Sequence, residues 1–235
     1  MTSVGDSMEK LVTDSGVLYK EHCGTLYKDD KKLEFIDFGE EGRVYRDGDT
    51  AIKIYHKCPN KNVLNSKEIR QLSDINTQRV ILPEEVVNGD GVRGYTMPFI
   101  EGDSESIYEM DKSVLVSELE LLEEDLRLLG EEQIRIGDLR DSNYLSTEDY
   151  LFLIDSGDYE VTNVDCSKQN LDLFSEFFMQ DVFGLYLLDS DDMDKVFAIY
   201  SSIKKDFNNY NRGLAEYVND NFSGSIHEEV KRLVK

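Results

Sequence analysis

The sequence predicts an α+β fold in which a strand-rich first half carrying one helix is followed by a helix-rich second half. Three observations predict it. Short β-prone runs separated by turn residues fill the chain up to Ile100. Two hairpin signals, Asp47-Gly48 and Asn88-Gly89-Asp90-Gly91, sit between such runs. Beyond Asp111 the apolar residues recur at helical spacing instead.

In chain order, Val17–Tyr19, Leu26–Tyr27 and Leu33–Phe38 are β-prone pieces. Val44–Arg46 and Ala51–Tyr55 flank Asp47-Gly48, where glycine tolerates the positive φ of a tight hairpin. From Asn62 to Ile75, Val63, Leu64, Ile69, Leu72 and Ile75 fall near helical spacing. Val80–Val87 and Val92–Ile100 return to strand. Leu115, Leu119, Leu122, Leu126 and Leu129, at steps of four and three, make one apolar helix face. A hairpin through Thr147-Glu148-Asp149 leads into Leu151–Ile154. Leu171 to Leu188 is apolar almost all round, as in a buried helix, and Asp191 to Lys235 is amphipathic helix and loop. Residues 1–32 carry no interpretable motif, and the reading is that they add strands to the first half.

With 235 residues, 40% of them hydrophobic, the chain suffices for one medium-sized domain with a real core. No stretch approaches the roughly 18–20 apolar residues that span a bilayer. Met1–Lys10 has no apolar region of the kind that marks a signal peptide. Cys23, Cys58 and Cys166 and the three histidines are scattered without metal-ligand spacing, which points to reduced thiols and a cytoplasmic location. The balance of 26 basic against 49 acidic residues, formally −23, repels nucleic acid and anionic membranes and favours cationic partners.

Several residues could carry chemistry. Gly39-Glu40-Glu41-Gly42-Arg43-Val44 joins two strand-like runs, and its glycines would let backbone N–H groups close on phosphate oxygens. An ordinary hairpin has the same appearance. Lys53 lies between apolar strand neighbours, either solvated or held in a cleft, and Glu68 on the following helix could pair with it. Asp138 and Asn143 share one loop running into a strand. Asp155 ends the wholly apolar run Leu151–Ile154, where a carboxylate must be capped, paired or metal-bound.

In this order the pieces resemble the protein-kinase-like superfamily, over roughly Leu33 to Leu188. The resemblance implies a bilobal protein-kinase-like fold: an antiparallel-sheet N-lobe with one main helix (1–100) and a small, mostly helical C-lobe with the hinge (101–235), in a single domain. Gly39, Gly42 and Val44 would belong to the glycine-rich loop. Ala51 and Lys53 would lie on the phosphate-binding strand, with Glu68 as the helical partner of Lys53. Met97 would be the gatekeeper, and Phe99 and Ile100 the adenine-binding hinge. Asp138 would position an acceptor hydroxyl, Arg140 would stabilise transferred charge, and Asn143 and Asp155 would hold Mg²⁺ or Mn²⁺. Asp181 would begin a central helix and steady the catalytic loop. ATP is the implied cofactor.

The pattern departs from the family in places. Asp37 replaces the first loop glycine, and Glu40 and Glu41 occupy the loop tip. Ile136 and Gly137 precede Asp138, and Ser156 follows Asp155. No Ala-Pro-Glu triplet lies between Asp155 and Asp181, and Gly-Asp before the loop is shared with aminoglycoside and choline kinase-like enzymes. The implied function is transfer of the γ-phosphoryl group of ATP to a hydroxyl, favouring Ser or Thr of a protein. The alternatives are a small-molecule kinase with a cationic acceptor such as an aminoglycoside, and a pseudokinase acting as a binding scaffold. Between Asp103 and Arg135 the chain has 11 acidic residues against three basic ones, which could draw a cationic acceptor.

Overall fold

The computed structural model describes residues 8–57, 63–137, 139, 143–154, 159–184, 193–210 and 212–234. The chain forms two compact units. One comprises Met1–Asn76, Ile81–Ile100 and Ser156–Tyr159; the other comprises Thr77–Val80, Glu101–Asp155 and Glu160–Lys235.

The first unit is built on one antiparallel sheet of nine strands: β1 (Glu9–Thr13), β2 (Leu18–His22), β3 (Thr25–Lys28), β4 (Lys31–Lys32), β5 (Glu34–Phe38), β6 (Gly42–Asp47), β7 (Thr50–Tyr55), β8 (Glu85–Gly89) and β9 (Gly91–Pro98). Their order across the sheet is β4-β3-β2-β1-β8-β9-β7-β6-β5. Strand β1 joins the two halves, pairing with β2 on one side and with β8 through Val12↔Asn88 and Thr13↔Val87 on the other. The sheet then curls. Leu11, Tyr19 and Leu26 from the first three strands share a core with Tyr45, Ile52, Ile54 and Val87 from β6, β7 and β8. Burial of these apolar side chains from strands distant in the sheet favours the curvature. Polar contacts cross the same gap: the Tyr45 hydroxyl donates to the Gly24 carbonyl at 2.7 Å, and Lys28 Nζ lies 2.5 Å from Asp47. Helix α1 (Ser66–Ser73) buries Ile69 and Leu72, and its Arg70 makes a two-pronged ion pair with Asp14 beyond β1.

This overturns the bilobal, kinase-like fold expected from the motif order. The strands form one nine-stranded antiparallel sheet, nearly closed as a barrel, and six α-helices are present among the described residues. The physical reason lies in residues 8–32. They supply four strands, and their apolar face closes the barrel core and does not merely lengthen an edge.

In the second unit, α2 (Lys112–Glu131) turns its leucine stripe inward, with Leu115, Leu119, Leu122, Leu126 and Leu129 fully buried. It packs on α3 (Ser167–Phe177) and α5 (Leu214–Asn221); α4 (Met193–Asn208) and α6 (Ile226–Val234) complete the helices. Two small sheets lie alongside: β10 (Ile134–Arg135) with β13 (Glu160–Val161), and β11 (Tyr144–Ser146) with β12 (Leu151–Leu153). After α3 the chain continues as a π-helical stretch, Phe178–Gly184. No helix among the described residues is long and apolar enough to cross a membrane.

Candidate functional site

The register of the large sheet decides which candidate residues meet. Val44 pairs with Lys53 and Lys53 with Tyr95, while Ala51 pairs with Met97 and Gly42 with Tyr55. Cross-strand partners share a face and alternate residues oppose it. Gly42, Val44, Ala51, Lys53 and Met97 therefore lie together on one face, and Tyr45, Ile52 and Ile54 turn to the barrel core. Phe99 and Ile100 follow β9. The Phe99 amide donates to the Asp49 carbonyl at 2.9 Å, and the Arg46 guanidinium sits 4.0 Å from the centre of the Phe99 ring.

Lys53 is only 6% exposed, in a strand with no exposed residue. Its ammonium lies 2.5 Å from Glu41 Oε2, a carboxylate equally buried, and 5.9 Å from the centre of the Tyr95 ring. Burying either charge alone would cost several kcal/mol, so each makes the other tolerable. Glu41 reaches this position because its turn is clasped from both sides. Gly39 N–H donates to the Gly42 carbonyl at 3.0 Å, His56 N–H donates to the Glu41 carbonyl at 2.8 Å, and the His56 ring bonds the Gly39 carbonyl. Gly42 is required by close approach: a Cβ there would sit 2.2 Å from the Ile54 carbonyl oxygen.

Glu68, the expected partner of Lys53, is engaged at its own helix start. Its carboxylate accepts from Asn65 N–H at 2.8 Å while the Asn65 side chain accepts from Lys67 and Glu68 N–H groups. This reciprocal capping box is written in the sequence as Asn65-x-x-Glu68 before an apolar run, the signal that could have assigned Glu68 its job. Nothing in the sequence separates Glu41, which turns inward, from exposed Glu40.

In the second unit, Asp138, Arg140 and Asp155 lie outside the described residues. Their flanks are described. Asn143 is 7% exposed, and its carbonyl accepts from Ile154 N–H at 2.8 Å. The strand leading to Gly137 is held by Asn170 on α3, a residue the sequence reading missed. The wholly buried Asn170 carboxamide accepts from Ile136 N–H at 3.0 Å and donates to the carbonyls of Ile134 and Leu126 at 2.9 and 3.1 Å. Asp181, assigned the steadying role from sequence, lies on the π-helical stretch. Asn170 follows Ser167, Lys168 and Gln169 at the start of α3, and no sequence signal sets it apart from these polar neighbours.

Within the acidic stretch Asp103–Arg135, Asp111, Glu118, Glu123 and Asp125 are committed internally. Asp125, 2% exposed, accepts from Gln78, Arg79 and Val80 N–H groups. Glu118 pairs with Arg79 and accepts from Leu151 N–H, and Asp111 caps α2. Glu123 accepts from Leu214 N–H at 2.6 Å.

No family model matches the chain, and no curated protein is significantly similar to it. A nucleotide phosphate would find fitting chemistry at Lys53, a buried cation on the same sheet face as Val44, Ala51 and Met97, but the nearest anion position is filled by Glu41.

Proposed function

We propose that the protein is a phosphotransferase that moves the γ-phosphoryl group of ATP to a hydroxyl acceptor, favouring Ser or Thr of a protein. One observation carries the reading: Lys53 is a desolvated cation held beside a glycine-bounded turn, on the sheet face that also bears Val44, Ala51 and Met97. A buried ammonium poised against an anion suits phosphate neutralisation, which dominates this chemistry. The motif order supports the remaining roles. Asp138 would orient the acceptor hydroxyl and Arg140 would offset developing charge, while Asn143 and Asp155 would hold Mg²⁺. ATP would supply the phosphoryl group. The alternative of a cationic acceptor such as an aminoglycoside rests on the other acidic residues of Asp103–Arg135, because Asp111, Glu118, Glu123 and Asp125 are engaged by the protein itself.

A second reading, a nucleotide-binding scaffold without catalysis, is favoured by the commitment of Glu68 to its capping box. Phosphoryl transfer from labelled ATP to a panel of basic Ser/Thr peptides separates the two. The proposal expects transfer that Lys53→Met lowers by about 100-fold or more in kcat/KM. ATP binding without transfer to any acceptor would leave the scaffold reading.

A further inference from the structure

We propose that Glu41 is a built-in competitor for the anion that Lys53 receives, so a phosphate-bearing ligand binds only as the Glu40–Glu41 turn lifts from Lys53. The inference rests on the nucleotide reading above and adds its regulation. Glu41 Oε2 already stands 2.5 Å from Lys53 Nζ, both side chains are less than a tenth exposed, and no second cation is needed to explain the burial of either. An arriving phosphate and the carboxylate cannot share that position, since like charges at contact in a poorly solvated site repel by several kcal/mol.

The pair is also exchangeable. Glu41 Oε2 is buried yet receives no hydrogen bond of ordinary geometry among the described residues, so the contact is ionic without being aligned. A buried pair that leaves lone pairs unsatisfied contributes little net stability. A phosphate brings more charge and more acceptor oxygens and is the better partner for an ammonium. The turn is packed tightly at Gly42 and held at Gly39 by hydrogen bonds alone. Gly42 is packed against the Ile54 carbonyl, whereas a Cβ at Gly39 would meet nothing within 4 Å. Release therefore breaks the His56 bonds to Glu41 and Gly39 and leaves the β6–β7 ladder intact.

The test is calorimetric titration of the full chain with ATP and Mg²⁺, using wild type, Glu41→Gln, Glu40→Gln, Lys53→Met and the double variant Glu41→Gln/Lys53→Met. Glu41→Gln should tighten ATP by roughly tenfold or more, Glu40→Gln should stay within about twofold, and the gain should vanish in the Lys53→Met background. ATP binding by wild type with an unchanged or weaker Glu41→Gln overturns the inference and leaves the nucleotide reading standing. No ATP binding by any variant overturns both. Amide hydrogen exchange on wild type makes the test independent of the variants folding: ATP should speed exchange at His56, whose N–H is held by the Glu41 carbonyl, and unchanged or slower exchange there overturns the inference.

Discussion

The carboxamide of Asn170 donates two hydrogen bonds and accepts one, and its surroundings require both functions. Two carbonyls, of Leu126 and Ile134, receive its protons, and Ile136 N–H meets its oxygen. Asn170→Asp is nearly isosteric but sets an acceptor against two carbonyl oxygens. We expect it to destabilise the protein by about 2–3 kcal/mol in urea unfolding, more than a surface Asn→Asp change would. Stability within about 0.5 kcal/mol of wild type would show that the site relaxes around the charge. At this scale the sequence was informative about residue type and silent about partners. Lys53 stood out as a charge among apolar strand neighbours, and it is buried. Which carboxylate meets it depends on how the Gly39–Gly42 turn folds, which no periodicity reports. Glu68 was placed on the correct helix, but its local capping bond prevails at Asn65.

Helix α5 shows how an element can depend on a distant side chain. Its N-cap is Gly213, which has no side chain to cap with, so the Glu123 carboxylate on α2 accepts from Leu214 N–H instead. Glycine leaves the room, because a Cβ at Gly213 would lie 2.7 Å from both Glu123 oxygens. Burial pushes the Glu123 carboxyl above the usual glutamate range, against the N–H groups of Leu214 and Ala215, which favour its charge. The folded state therefore keeps this proton to a higher pH than the unfolded chain does. Its contribution to stability falls as pH rises from the ordinary glutamate value through the raised one. Denaturant unfolding across about pH 4–8 should show this fall in wild type and lose it in Glu123→Gln; parallel profiles would contradict the assignment. Elements with strong periodicity or glycine turns were legible: β6 and β7 around Asp47-Gly48, β8 and β9, α1, and the leucine face of α2. Strands β1 and β4 were missed, and β2 and β3 were seen only in part. Their turns place Cys23, Asp29 and Asp30 at positive φ, without the Asn-Gly or Asp-Gly signature.

At the scale of the molecule, residues 8–32 matter more than their lack of motifs suggests. Leu26, fully buried, helps join the core of β1–β3 to that of β6–β8. Leu26→Ala should cost about 2–5 kcal/mol, and a loss under about 1 kcal/mol would mean the barrel core is not continuous. Sheet closure of this kind is a property of long-range pairing, and short β-prone runs do not encode it legibly. The motif order resembled one architecture while the strand count produced another. The functional reading therefore stands on Lys53 and its sheet face. The most direct test is calorimetric titration of ATP, with and without Mg²⁺, into wild type and Lys53→Met. The account predicts metal-dependent binding by wild type that Lys53→Met weakens by about 100-fold. Equal affinity in the two proteins, or no heat of binding from either, would contradict it.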